Sequence, residues 1–319
     1  MKKKFDVNIR DRYGNTVFHY NENENKLKSA IIQGKFDVNT KDYRYGDTIF
    51  HHGNHSKYLK LALEYGLNPN IKNNYNQTIF HENRFIKKQD LLFAIEKGLD
   101  LYSQDDSGNT VIHSLMTVFW NIDISDILQK HFDFNLNNKD GDTIFHMQND
   151  FTKKYLKFAI ENKLFNVNLQ NNNGNTVFHK NYFIDLFPLA LQNGLDVNLQ
   201  NEYGNTIFHC SSYYFRYLEY CIKHGLNVNL KNDNGNTIFN DEIYLAYLKL
   251  ALEYGFDINT TDVDGNTLFH HGKNQIYLDL AIENGLDVTI TNNDNQTILF
   301  NCDKDSIEKL LLHFKKKLT

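Results

Sequence analysis

The feature that most constrains this chain is a six-residue string that returns ten times. GNTVFH at 14–19 comes back as GDTIFH from Gly46, NQTIFH from Asn76, GNTVIH from Gly108, GDTIFH from Gly141, GNTVFH from Gly174, GNTIFH from Gly204, GNTIFN from Gly235, GNTLFH from Gly265 and NQTILF from Asn295. Its threonines fall at 16, 48, 78, 110, 143, 176, 206, 237, 267 and 297, a step of 30 to 33 residues. A period of that size marks stacked units that bury a continuous core only against their neighbours. At ~150 residues per domain, 319 residues would otherwise suggest about two globular domains. The repeat replaces that unit.

A second anchor lies between the threonines: LALEYGLNPN at 61–70, FAIEKGLDLY at 93–102, LALQNGLDVN at 189–198, LALEYGFDIN at 250–259 and LAIENGLDVT at 280–289. In the copy from 56 to 65, Tyr58, Leu59, Leu61, Ala62 and Leu63 suit a short helix packed on more than one side, closed by Gly66. Four residues before that closing position stand Ala30, Ala62, Ala94, Ile127, Ala159, Ala190, Cys221, Ala251 and Ala281, small in eight of nine units, so neighbouring helices are expected to approach closely there. There are 45 asparagines against 17 glycines and 2 prolines. The turns must therefore be built largely with Asn, which tolerates the left-handed backbone region.

The T-[VI]-F-H string, the helix ending L-A-[LI]-E-x-G-[LF]-D-V-N and the polar G-N turn resemble the ankyrin repeat over nearly the whole chain. The resemblance implies an all-α repeat solenoid, in which each unit is a helix, a tight turn, a second antiparallel helix and a projecting hairpin-like finger. It makes 1–319 one solenoid, with 1–13 a partial N-terminal finger and 297–319 a C-terminal capping repeat. The chain opens in the FDVN of a finger, so no polar cap helix is expected before it, whereas Asp305 or Ser306 is expected to cap a final lysine-rich helix. One departure is systematic. The proline that usually follows the threonine is Val, Ile or Leu here, which removes a residue that presets the first helical turn. The threonine-to-glycine stretch is also trimmed to 18 residues in five units, and the longest stretches, after Thr78, Thr110 and Thr143, predict a local bulge.

Chemistry repeated eight times is structural before it is catalytic. The string carries a histidine at 19, 51, 81, 113, 146, 179, 209 and 270, with Asn240 and Phe300 in the remaining copies. The resemblance assigns the threonine to capping the first helix and the histidine to bonding neighbouring backbone, so Thr16, His19, Thr48, His51, Thr78, His81, Thr110, His113, Thr143, His146, Thr176, His179, Thr206, His209, Thr267 and His270 form a structural set. The only histidine clusters are HHGNHS (His51, His52, His55) and His270 with His271, and no metal is expected there, because no second ligand set has usable spacing. Cys210, Cys221 and Cys302 form no C-x-x-C pair; Cys221 and Cys302 read as packed thiols and Cys210 as nearer the surface. Asp105 with Asp106 and Asp241 with Glu242 are the carboxylate pairs, and no phosphate loop or nucleophile elbow appears. No enzyme and no cofactor are expected.

A net charge of −5 with only five arginines disfavours nucleic acid. No apolar run approaches the ~18 residues of a membrane span, and no apolar segment follows the basic start, so a cytoplasmic, monomeric chain that engages no membrane is expected. What differs between copies must carry specificity, and in the family the fingers and first helices of the concave side do so. The expected partner-facing residues are Tyr75, Phe85, Met116, Phe119, Trp120, Tyr182, Phe183, Tyr203, Tyr213 and Tyr214, each open to the alternative of inter-repeat packing. The resemblance thus implies a non-catalytic scaffold that binds another protein. Richness in Lys, Asn, Ile, Phe and Tyr suggests an AT-rich genome, as of an intracellular bacterium, a large virus or a protist; the resemblance to ankyrin proteins of the first two adds an effector translocated into a host cell to the expectations, beside a housekeeping scaffold. The alternatives are an enzyme or ligand-binding protein on an atypical repeat surface, or a substrate modified at finger asparagines such as Asn168, Asn198 and Asn229.

Overall fold

The computed structural model describes residues 6–20, 24–53, 55–82, 85–118, 132–240, 242–271 and 275–317. They divide into two compact units, 1–166 and 167–319. Each is an all-α repeat solenoid in which short helices alternate with projecting turns. Among the described residues no β-strand forms, only isolated antiparallel bridges such as Lys72 with Thr78 and Thr291 with Thr297.

Within a repeat the leading helix is reduced to about one turn. It is a 3₁₀ turn at Val17–Tyr20 and Ile144–Met147, a four-residue α-turn at Ile79–Glu82 and Ile207–Cys210, and reaches eight residues only at Val111–Val118. The shortening has a local cause. Thr206 is extended (φ −79°, ψ 173°), its backbone N–H donates to His209 Nδ1 at 3.2 Å, and Ser211 is extended again (φ −156°, ψ 122°), so the cap closes on itself and the chain leaves at once.

The following helix is a continuous α-helix at Glu24–Ile32, Lys88–Glu96 and Asp150–Glu161, and in other copies a 3₁₀ turn running into six α-residues, as in Ser212–Tyr217 into Leu218–Lys223, Glu242–Tyr247 into Leu248–Glu253 and Ser56–Tyr58 into Leu59–Glu64. Helices this short have no stability of their own. They persist because Leu59, Ala62, Leu218, Cys221, Leu248 and Ala251 are at most 1% exposed. The repeated alanine has a second use, since its carbonyl accepts the N–H of the residue after the closing glycine: Leu67 to Ala62 at 2.9 Å, Leu195 to Ala190 at 3.0 Å, Leu286 to Ala281 at 2.9 Å. Ile127 of this series lies outside the described residues. The string's phenylalanines form the spine of each core: Phe18, Phe50, Phe80 and Phe145 in the first unit and Phe178, Phe208 and Phe239 in the second are at most 1% exposed. Rings lock edge to face with neighbours, as in Phe145 with Phe165 at 4.8 Å and Phe208 with Tyr244 at 6.2 Å.

At the C-terminal end the final helix, Lys304–Lys317, begins earlier than the sequence suggests. Asp303 Oδ1 accepts the N–H of Ser306 at 2.8 Å, so Asp303 and not Asp305 or Ser306 is the cap.

Candidate interaction surface

The fingers are held by one asparagine ladder and, where the turn residue is Asn rather than Asp, by a second. In the first, the Asn of the D-V-N turn spans to the next repeat: Asn198 Nδ2 donates to Gly225 O at 2.9 Å, and its Oδ1 accepts from Asn227 N at 2.7 Å. The same pair of bonds is made by Asn39, Asn70 and Asn135 in the first unit and by Asn168, Asn229 and Asn259 in the second. In the second ladder, a turn residue such as Asn232 folds its own loop by accepting two backbone N–H groups and donates Nδ2 to Asn205 Oδ1 at 2.9 Å. The turn glycine lets successive fingers touch. Gly204 has φ +70°, and a Cβ there would lie 2.9 Å from Asn232 Cα.

The repeated Thr and His lock each leading turn. Thr48 N–H donates to His51 Nδ1 at 3.0 Å, with matching contacts at Thr16, Thr78, Thr110, Thr143, Thr176, Thr206 and Thr267. Because Nδ1 accepts, the proton sits on Nε2, which donates to the next repeat's carbonyl: His81 to Asn109 at 3.1 Å, His179 to Asn205 at 3.2 Å, His270 to Gln296 at 3.1 Å. Burial pushes His19, His51, His81, His113, His209 and His270 below the ordinary histidine value, His51 to about 4. Six of these rings, His51, His81, His113, His179, His209 and His270, have both nitrogens committed and none left for acid–base chemistry, whereas His19 Nε2 is buried with no hydrogen-bond partner among the described residues.

The other candidate chemistry is similarly tied up. Asp105 Oδ1 accepts the N–H groups of Ser107 and Asn109, and Asp106 Oδ1 accepts Asn76 Nδ2 at 2.7 Å. Cys221 is 1% exposed, and burial pushes its thiol up to about 12. Cys210 is exposed and Cys302 half-buried. Asp241 and the side chain of Glu242 lie outside what the structure describes.

The residues expected to face a partner separate sharply. Tyr75, Phe85, Tyr203 and Tyr213 are 49–65% exposed. Tyr182 is half-buried, its ring edge-on to Phe183 at 5.2 Å. Phe119 and Trp120 lie outside the described residues. Met116, Phe183 and Tyr214 must be reassigned: they are at most 2% exposed and present no side-chain surface to a partner. Tyr214 is core because its hydroxyl donates to Phe178 O at 2.8 Å, beneath the ring of Phe187.

Sequence reading missed the arginines. Arg12 sits over the Tyr13 ring at 4.6 Å, Arg10 over Tyr43 at 5.6 Å and Arg44 over Tyr45 at 4.9 Å. Tyr45 stacks on Tyr75 of the next finger at 6.5 Å. The tips are joined by backbone bonds from Tyr43 N to Tyr13 O at 2.7 Å and from Asn74 N to Tyr45 O at 2.8 Å. Three of the chain's five arginines therefore decorate one row of fingertip tyrosines. Their signal was a local concentration of a rare residue, hidden by the modest overall charge.

No family model matches the chain, and no curated protein matches it. Among solved structures it is similar to the crystal structure of EF0377, an ankyrin repeat protein, at 24% identity over 54% of this chain and 93% of that one, with a TM-score of 0.42. No helix among the described residues is long and apolar enough to cross a membrane.

Proposed function

We propose that the chain is a non-catalytic scaffold that binds another protein, with the fingertip row of the first unit as a main contact. The observation that carries this reading is the row itself: Tyr13, Tyr43, Tyr45 and Tyr75, 36–64% exposed, interleaved with Arg10, Arg12 and Arg44. Tyrosine and arginine are favoured anchors, because they bury large area at low entropic cost and carry a polar handle. Here the rings are preorganised by stacking and by fingers bonded at their backbones, which lowers the cost of docking. Tyr203 and Tyr213 offer further exposed rings in the second unit. Commitment of most of the repeated histidines to structure supports the absence of catalysis, and we extend the proposal to an effector role inside a host cell.

The test is a pull-down, from lysate of the cell in which the chain resides, with wild type and Tyr43→Ala/Tyr45→Ala/Tyr75→Ala, both checked for the same thermal midpoint. Loss of specific partners from the triple variant supports the row. Identical partner sets at identical stability would remove it.

A further inference from the structure

The repeat shows where this chain departs from its own pattern, and in the first unit one such departure meets two residues of a variable position. The residue before the string's threonine is Asn or Gln in eight of ten copies and Asp only at Asp47 and Asp142. Where the next finger's turn residue is Asn, the amide oxygen of a regular copy accepts its Nδ2, as in Asn201 to Asn175 at 3.0 Å and Asn292 to Asn266 at 2.9 Å. Asp47 Oδ1 keeps that bond, accepting Asn73 Nδ2 at 2.9 Å. Where an amide would offer a donor, however, Asp47 offers a second carboxylate oxygen. That oxygen, Oδ2, lies 2.8 Å from His52 Nε2, and the Asp47 side chain is only 4% exposed.

The other contribution comes from the variable position after the string's histidine, where consecutive copies carry His52 and Glu82. His52 Nδ1 is 3.9 Å from Glu82 Oε2, which is buried and accepts no hydrogen bond among the described residues. One ligand atom from each of Asp47, His52 and Glu82 fits within 4.8 Å of the others. Asp47 and His52 also line a cavity of about 70 Å³ with His19 and His55. His55 is 2% exposed; its Nε2 donates to Phe18 O at 2.8 Å, and its buried Nδ1 has no partner. Two neighbouring carboxylates, a half-exposed imidazole and orphaned polar atoms are what a cation would resolve.

We infer that Asp47, His52 and Glu82 form a binding site for a divalent transition-metal ion of the zinc class, bridging the second and third repeats. Donors at 2.0–2.2 Å around a tetrahedral ion stand roughly 3.4 Å apart, a spacing the present triad reaches with small adjustments. His52, with its side chain 58% exposed, supplies the adjustment by swinging one nitrogen between the two carboxylates. Asn73 fixes Asp47 from behind, and the fourth position is left to water. The ion neutralises the burial cost of the carboxylates and ties two repeats together.

The experiment is isothermal titration of the full chain with zinc chloride, with thermal melts in zinc and after EDTA, on wild type, His52→Ala, Glu82→Gln and His271→Ala. One zinc per chain is expected in wild type, with a melting shift that EDTA reverses. His52→Ala and Glu82→Gln should each lose about tenfold or more in affinity, and His271→Ala should bind as wild type. His52 is exposed, so its alanine variant folds. No binding to wild type, or unchanged binding in both triad variants, overturns the site; a loss in His271→Ala equal to that in His52→Ala reassigns binding to scattered histidines and overturns it too.

Discussion

The backbone N–H of Thr48 donates to Nδ1 of His51 at 3.0 Å, while His51 Nε2 reaches Gln77 O in the next repeat at 3.3 Å. One ring thus closes its own turn and fastens the following one, and it can do so only when neutral. Protonation would put hydrogen on Nδ1 against the Thr48 N–H.

Stability should therefore fall as pH drops through the histidine range. The six histidines whose folded pKa lies below 6.5 bind fewer protons folded than unfolded once pH drops under that value. Their contribution is complete above about pH 6.5 and is lost as pH falls toward the folded values, about 4 for His51. Urea midpoints should be flat from pH 8 to 7 and decline steadily from 6.5 to 5. The eighth copy supplies the control: Asn240 Oδ1 accepts Thr237 N at 2.9 Å, holding the turn without a titrating group. His51→Asn should keep the turn and reduce the slope below pH 6.5, and an unchanged slope would exclude His51 from the acid response.

The asparagine clamp invites a different substitution. Asn198→Asp keeps the acceptor for Asn227 N but removes the donor to Gly225 O, leaving two oxygens facing a carbonyl. A loss of about 1–3 kcal/mol is expected in equilibrium urea unfolding. The clamp also bears on modification of finger asparagines, since Asn168, Asn198 and Asn229 each have Nδ2 engaged with a glycine carbonyl.

Much of this was legible in the chain because a repeat states its rules ten times. The period, the capping Thr, the committed His, the small helix position and the closing glycine each appear as a column of near-identical residues, and each has the local geometry its chemistry demands. The one-turn leading helix was not legible in the spacing, since copies of different spacing share it; it depends on backbone geometry such as that of Thr206–Ser211. The sorting of aromatics could not be read at all. Tyr213 and Tyr214 are adjacent and identical in type, and only the orientation of a 3₁₀ turn makes one 60% exposed and the other buried. The Asp47, His52 and Glu82 cluster was missed because its members lie in two repeats and each looks like ordinary variation.

Lysine at a glycine's position gives a prediction of opposite sign. Lys163 closes its helix at φ 57°, where seven of the nine closing positions are glycine, and Leu164 N still bonds Ala159 O at 2.8 Å. A side chain in the left-handed region costs roughly 1–2 kcal/mol, partly offset by glycine's greater freedom in the unfolded chain. Lys163→Gly should stabilise by about 0.5–1 kcal/mol, whereas Gly255→Ala, at φ +87° with open space around it, should destabilise by a similar amount. Thermal midpoints moving the same way for both would refute the shared geometry.

The adjacent tyrosines give the sharpest test of which aromatics serve the core. Tyr214 is fully buried, and its hydroxyl donates to Phe178 O at 2.8 Å and Lys180 O at 3.1 Å, tying one repeat to the previous one. Tyr214→Phe keeps the ring packed on Phe187 but strands two carbonyls, at a cost of about 1–3 kcal/mol. Tyr213→Ala removes a ring that is 60% exposed and should change stability by less than about 0.5 kcal/mol. Chemical denaturation of the two variants beside wild type measures both. If Tyr213→Ala proves the more damaging, the turn at Ser212–Tyr217 is rotated relative to the arrangement described, and the division of aromatics between core and surface fails with it.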